Sequence, residues 1–129
     1  MHKIKGPPKF SKSSKDKLKT CDSRLQELFN EVIKYIDCTI VCGHRGEEEQ
    51  NSAYLNGFSK LKFPKSKHNK LPSLAVDVIP YPTGYEDIEM FQELADVVFD
   101  LAGRLKIRVR WGGGWKKFVD KPHWEIIET

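Results

Sequence analysis

The sequence predicts an α+β fold, helices packed on a small, mostly antiparallel sheet, from three observations. Two stretches carry apolar residues at helical spacing, and four short apolar runs are bounded by glycine or proline. These elements follow one another as α-β-α-β-α-β-β with no internal repeat. At 129 residues and 14.9 kDa the chain is the size of one domain with a single hydrophobic core.

Residues 1–11 read as a basic, flexible N-terminal tail broken at Gly6-Pro7-Pro8, and residues 12–129 as the single domain. A helical stretch in two pieces opens the domain. Asp22 is placed to cap the second piece, with Leu25, Leu28, Phe29, Val32, Ile33 and Ile36 on one stripe. Residues 38–42 are a β-type run ending at Gly43. Residues 46–56 form a short helix whose Glu47, Glu48 and Glu49 suit the positive end of its dipole. A loop rich in Lys, Ser and Pro covers residues 58–73, and residues 73–79 form the second strand, stopped by Pro80. Residues 86–106 are the strongest helix, with Ile88, Phe91, Leu94, Ala95, Val98, Leu101, Ala102 and Leu105 on one stripe. Residues 107–111 and 123–127 are the last strands, separated by Gly112-Gly113-Gly114.

Hydrophobic residues make up 39% of the chain and charged residues 31%, a globular, water-soluble balance. No apolar run approaches the ~20 residues that span a bilayer. The N-terminal stretch lacks the apolar centre of a secretory signal, so synthesis in the cytoplasm and release by another agent are expected. Net charge is +4, and the first 19 residues hold seven lysines against one aspartate. Such a stretch is either a solvated tail or a point of attraction for a polyanion, whether nucleic acid, anionic lipid or an anionic wall. Cys21, Cys38 and Cys42 cannot all pair with one another and form no C-x-x-C, so they are read as reduced thiols. Cys38 and Cys42 share one face of their run and are expected in the core.

Asp77 interrupts the apolar run Leu74-Ala75-Val76-Asp77-Val78-Ile79. A buried carboxylate without a partner is costly, so a cation is expected beside it. His68 lies in the preceding polar loop, His123 opens the last strand, and Asp120 shortly precedes it. Two imidazoles and one carboxylate suit a zinc site that keeps a position open for water. Spacing alone leaves other readings open: a solvated loop histidine, an aspartate paired with lysine or arginine, and a core histidine beside Pro122.

Ser66-Lys67-His68 with Ala75-Val76-Asp77, then Trp111-Gly112-Gly113-Gly114-Trp115-Lys116 and Asp120-Lys121-Pro122-His123-Trp124-Glu125, narrow the choice. Together these blocks resemble the zinc peptidases that include phage L-alanyl-D-glutamate endopeptidases and D-Ala-D-Ala carboxypeptidases and dipeptidases. The resemblance spans residues 24–127. It implies that His68, Asp77 and His123 ligate one Zn2+ per chain at the sheet face and that Asp120 is the catalytic acid/base. It also implies that Arg45, in Cys42-Gly43-His44-Arg45, contacts substrate or the developing oxyanion. His44 falls outside the pattern and is read as a non-ligand. Ser66 is expected to hydrogen-bond substrate or cap its loop. Trp115 is expected to line the cleft, while Trp111 and Trp124 pack in the core. Glu125 either orients an imidazole from behind or forms a surface ion pair.

The expected function is that of a zinc-dependent peptidoglycan peptidase of endolysin type, a monomer held in the host cytoplasm until it reaches the bacterial cell wall. Its expected reaction is hydrolysis of the L-Ala–D-Glu bond of stem peptides. A D-Ala-D-Ala carboxypeptidase or dipeptidase is the nearest alternative, and a non-catalytic zinc-containing module that binds the cell wall is another. No nucleic-acid-binding motif is present, so no specific nucleic-acid partner is expected.

Overall fold

A computed structural model describes residues 7–116 and 119–128. Most of the expected tail, residues 1–6, lies outside that range; further along, Phe10 packs into the core and Ser11 caps the first helix. Helix α1 (Lys12–Leu18) begins where the Ser11 hydroxyl accepts the Ser14 amide at 3.1 Å. Helix α2 (Ser23–Val32) begins where the Asp22 carboxylate accepts the Arg24 amide at 2.9 Å. Each cap satisfies a donor that the first turn leaves over and contributes about 1 kcal/mol.

Strands β1 (Cys38–Cys42), β2 (Ala75–Pro80), β3 (Val109–Trp111) and β4 (His123–Ile126) form one sheet in the order β1-β2-β4-β3. Every neighbouring pair is antiparallel. Pro80 is the last residue of β2, opposite Cys38, rather than the residue that stops it. Helix α3 (Glu47–Leu55) follows β1, and α4 (Ile88–Leu105) follows β2.

Strand alternation divides the sheet into two faces. Ile40, Val76, Val78, Trp124 and Ile126 point into the core, where they meet Leu25, Leu28 and Phe29 of α2 and Leu94, Ala95 and Val98 of α4. Leu25, Leu28 and Phe29 are fully buried, and each such side chain contributes about 1.5–3 kcal/mol. Trp124 stacks on Trp111 with ring centroids 5.6 Å apart and meets Phe29 edge-on. Burial pushes the Cys21 and Cys38 thiols up to about 12, so both stay protonated in the core.

The other face carries the polar residues. Asp77 pairs across β2 and β4 with His123, and Ala75 with Glu125. On the far side a bulge falls between Ile40 and Cys42, and it brings Cys42 opposite Asp77. Cys42 therefore leaves the core environment that simple alternation from Cys38 predicts and joins the polar face. Helix α4 ends with Lys106 in the left-handed conformation, φ 60°, where the Ile107 amide closes the last turn on the Ala102 carbonyl at 2.9 Å.

Candidate metal centre and active site

A cavity of about 800 Å³ opens on the polar face of the sheet. Its lining brings together Arg45, Ser66, His68, Asp77, Trp115, Asp120, His123 and Glu125, which includes every residue that the sequence singled out as catalytic, metal-ligating or substrate-binding. His44 is not among them; its amide donates to the Thr20 hydroxyl at 2.8 Å.

His68 and His123 approach the same oxygen of Asp77. His68 Nε2 lies 3.2 Å from Asp77 Oδ1, and His123 Nδ1 lies 3.4 Å from it. The outer nitrogen of each ring is already committed. His68 Nδ1 donates to the Gly43 carbonyl at 2.8 Å, and His123 Nε2 donates to Glu125 Oε1 at 2.8 Å. A neutral imidazole has one N–H, so in each ring the nitrogen facing Asp77 is left with a lone pair. Three electron-rich atoms then converge on one point, an arrangement that needs positive charge between them.

The electrostatics describe the same demand. Burial works against the Asp77 carboxylate, but His68 and His123 hold its carboxyl far below the usual range. Burial likewise works against charge on both imidazoles, yet Asp77 raises both, aided by Cys42 at His68 and by Glu125 at His123. The required charge can be two protons or one divalent cation that displaces them. Two imidazoles with their outer N–H groups fixed and one carboxylate are a donor set that fits zinc.

A second donor set shares two of these groups. Cys42, His68 and Asp77 offer ligand atoms that all lie within 4.8 Å of one another. Cys42 Sγ, however, lies 3.9 Å from His68 Nδ1, the nitrogen occupied by Gly43. His123 meets Asp77 on the side of the free nitrogen, so the two-histidine set fits an ion better.

Local sequence explains how these groups are held. Ser66 Oγ accepts the His68 amide at 3.2 Å and thereby starts the 3₁₀ turn that presents the imidazole, which is the loop-capping role. Gly43, whose carbonyl binds His68, lies so close to Lys17 and Thr20 that any Cβ would collide with the Lys17 carbonyl and the Thr20 hydroxyl. Gly112 does the same for the other half of the site. Its carbonyl accepts the Asp120 amide at 2.9 Å, and a Cβ there would strike the Asp120 carbonyl oxygen.

Asp120 faces the cavity without a hydrogen-bonded cation among the described residues, and its pKa is raised, first by burial and then by Asp77. Arg45 holds Asp77 Oδ2 at 3.3 Å through one terminal nitrogen and Gln50 Oε1 at 3.1 Å through the other. Trp115 lies over His123, ring centroids 5.1 Å apart. Glu125 is buried and uses its two oxygens separately. One oxygen orients His123, while the other meets Lys67 at 3.2 Å and Arg110 at 3.6 Å.

Sequence reasoning passed over Cys42, Gln50 and Lys67. The bulge that moves Cys42 has no signature in Cys-Thr-Ile-Val-Cys. Lys67 is one of many lysines, and only the fold brings its Nζ to the Ile126 carbonyl at 2.7 Å. Gln50 stands out only in the fold, as the buried residue of a helix that carries no apolar stripe.

Comparison with known proteins finds relatives over nearly the whole chain. The structure is similar to the crystal structure of the Serratia marcescens L-Ala D-Glu endopeptidase ChiX, with a TM-score of 0.78 and 26% sequence identity over 92% of this chain and 89% of that one. The profile of the phage L-alanyl-D-glutamate peptidases matches residues 7–127. With nearly its whole length matched, the chain belongs to the phage L-alanyl-D-glutamate peptidase family.

Proposed function

We propose that this protein is a zinc-dependent endolysin that hydrolyses the L-Ala–D-Glu bond of peptidoglycan stem peptides. The family and the Serratia endopeptidase support the bond and the substrate. The observation that carries the metal is the approach of His68 Nε2 and His123 Nδ1 to one oxygen of Asp77, each ring fixed from behind. His68, Asp77 and His123 would hold one zinc per chain. Bound there, zinc would supply Lewis acidity, acidifying a water molecule and polarising the scissile carbonyl.

The chain's own groups do the rest. Asp120, with its raised pKa, takes a proton from the attacking water and returns it to the leaving amine. Arg45 donates to the oxygen on which negative charge develops, or to a carboxylate of the substrate. Trp115 offers an aromatic wall beside His123, and Ser66 keeps the His68 turn in place.

The protein acts as a monomer, held in the host cytoplasm and released onto the bacterial wall at lysis. Among the described residues no helix is long and apolar enough to cross a membrane. Mass spectrometry of purified peptidoglycan digested by the protein tests the reading. New N-terminal D-Glu and C-terminal L-Ala support it; release of a terminal D-Ala would make the enzyme a carboxypeptidase instead.

A further inference from the structure

We infer that Gln50 is a positioning residue that fixes the Arg45 guanidinium and couples it to the cavity wall. The inference rests on the proposed role of Arg45. Gln50 is fully buried, and it is not part of the cavity lining. A primary amide offers two acceptor and two donor places, and all four are filled here. Oε1 accepts from Arg45 at 3.1 Å and from Asn69 at 3.1 Å. Nε2 donates to the Leu61 carbonyl at 2.6 Å and to the Ser59 hydroxyl at 2.9 Å.

Each partner leads to the site. Ser59 and Leu61 line the cavity. Asn69 follows His68 in its turn and also donates to the Arg45 carbonyl at 3.0 Å. Arg45 is thus gripped at one terminal nitrogen by Gln50 and at the other by Asp77. A long side chain held on both sides has lost its freedom before substrate arrives, which is how pre-organisation raises rate. Neither methionine nor glutamate reproduces all four bonds. Methionine lacks the acceptor that holds Arg45, and glutamate lacks the donors that hold the wall.

A purely structural role for Gln50, anchoring α3, would lower activity whatever stands at position 45. A double-mutant cycle separates the two. Gln50→Met and Arg45→Ala are made singly and together in the full chain loaded with zinc. The readout is kcat/KM for L-Ala–D-Glu cleavage, with zinc content and melting temperature followed in parallel. Gln50→Met should lower kcat/KM by about 10- to 100-fold in the wild-type background, as misplacement of a positioned group does. In the Arg45→Ala background it should cost less than about twofold, because the residue it positions is gone. Equal losses in both backgrounds, or no loss in either, overturn the inference.

If Gln50→Met does not fold, Gln50→Glu replaces it. Its carboxylate still holds Arg45 and releases only Ser59 and Leu61, so KM should rise while kcat stays within about threefold of wild type. A kcat loss as large as that of Arg45→Ala overturns the inference. Absence of L-Ala–D-Glu cleavage by the wild-type protein, or full activity of Arg45→Ala, overturns the functional reading itself and this inference with it.

Discussion

Glu125 accepts the Nε2–H of His123 at 2.8 Å from the same face of the same strand. Removing that acceptor frees the ring to rotate and to place its proton on the nitrogen that faces Asp77. Glu125→Ala should therefore weaken zinc binding by about 10- to 100-fold, as loss of a group that orients a ligand usually does. Competition against a chelator of known affinity measures it.

The ligand set can be separated from its rival by two variants. Cys42→Ser should retain one zinc per chain, whereas His123→Ala should lose it, as should His68→Ala and Asp77→Ala. Metal analysis by mass spectrometry after dialysis decides this. Retention by His123→Ala with loss in Cys42→Ser would move the ion to the cysteine side of His68.

Asp120→Asn should keep zinc and lower kcat by roughly 10² to 10⁴, the usual contribution of a positioned proton-transfer group. Its stability should change in a pH-dependent way. The folded pKa of Asp120 lies above its ordinary value because burial and Asp77 oppose the charge. The stability this group lends is therefore complete below the ordinary aspartate range and is lost as pH rises through the folded value. In metal-stripped protein Asp120→Asn should melt at or above the wild-type temperature near neutral pH, and that advantage should vanish in acid. Calorimetry across pH checks the sign.

Gly112→Ala should disturb both Asp120 and His123, the proposed proton shuttle and a proposed metal ligand. The added methyl meets the Asp120 carbonyl and crowds the Cβ atoms of Asp120 and His123. A cost of about 1–3 kcal/mol is expected from overpacking, with a larger proportional fall in activity than in stability. Gly114→Ala, where a Cβ meets nothing within 4 Å, is the control.

Lys106 offers a test away from the site. A lysine at φ 60° carries a left-handed penalty of about 1–2 kcal/mol that glycine does not. Glycine also makes the unfolded chain more flexible, which offsets part of the gain. Lys106→Gly should raise stability by up to about 1 kcal/mol with unchanged activity. Urea denaturation measures it.

What could be read in the sequence divides along physical lines. The core is legible because periodicity is local: the stripe on α4 and the run around Val76 and Val78 announce their faces. Asp77 is legible for the opposite reason, since a carboxylate in an apolar run demands an explanation. The strand starts are less so. Residues 73 and 74 look like strand, but Ser73 instead bridges to Cys21, and its hydroxyl bonds the Ala75 carbonyl at 2.6 Å. Cys42 and Gln50 escape because a bulge and a buried amide act through partners remote in the chain, and no local pattern encodes them.

The register of β2 against β4 has a consequence for the order of assembly. Asp77 and His123 stand directly opposite one another, so a slip of a single residue would send one of them through to the apolar side. No partly zipped or mis-threaded sheet can offer the complete set of donors. Zinc held by the proposed ligands would then act as a proofreading signal: the ion would select the one strand alignment that also builds the core, and its binding energy would be added to the stability of that alignment alone. A nascent or stretched chain should be blind to the metal until its last strand docks, which makes metal capture a marker for the final step of folding rather than a seed for the first.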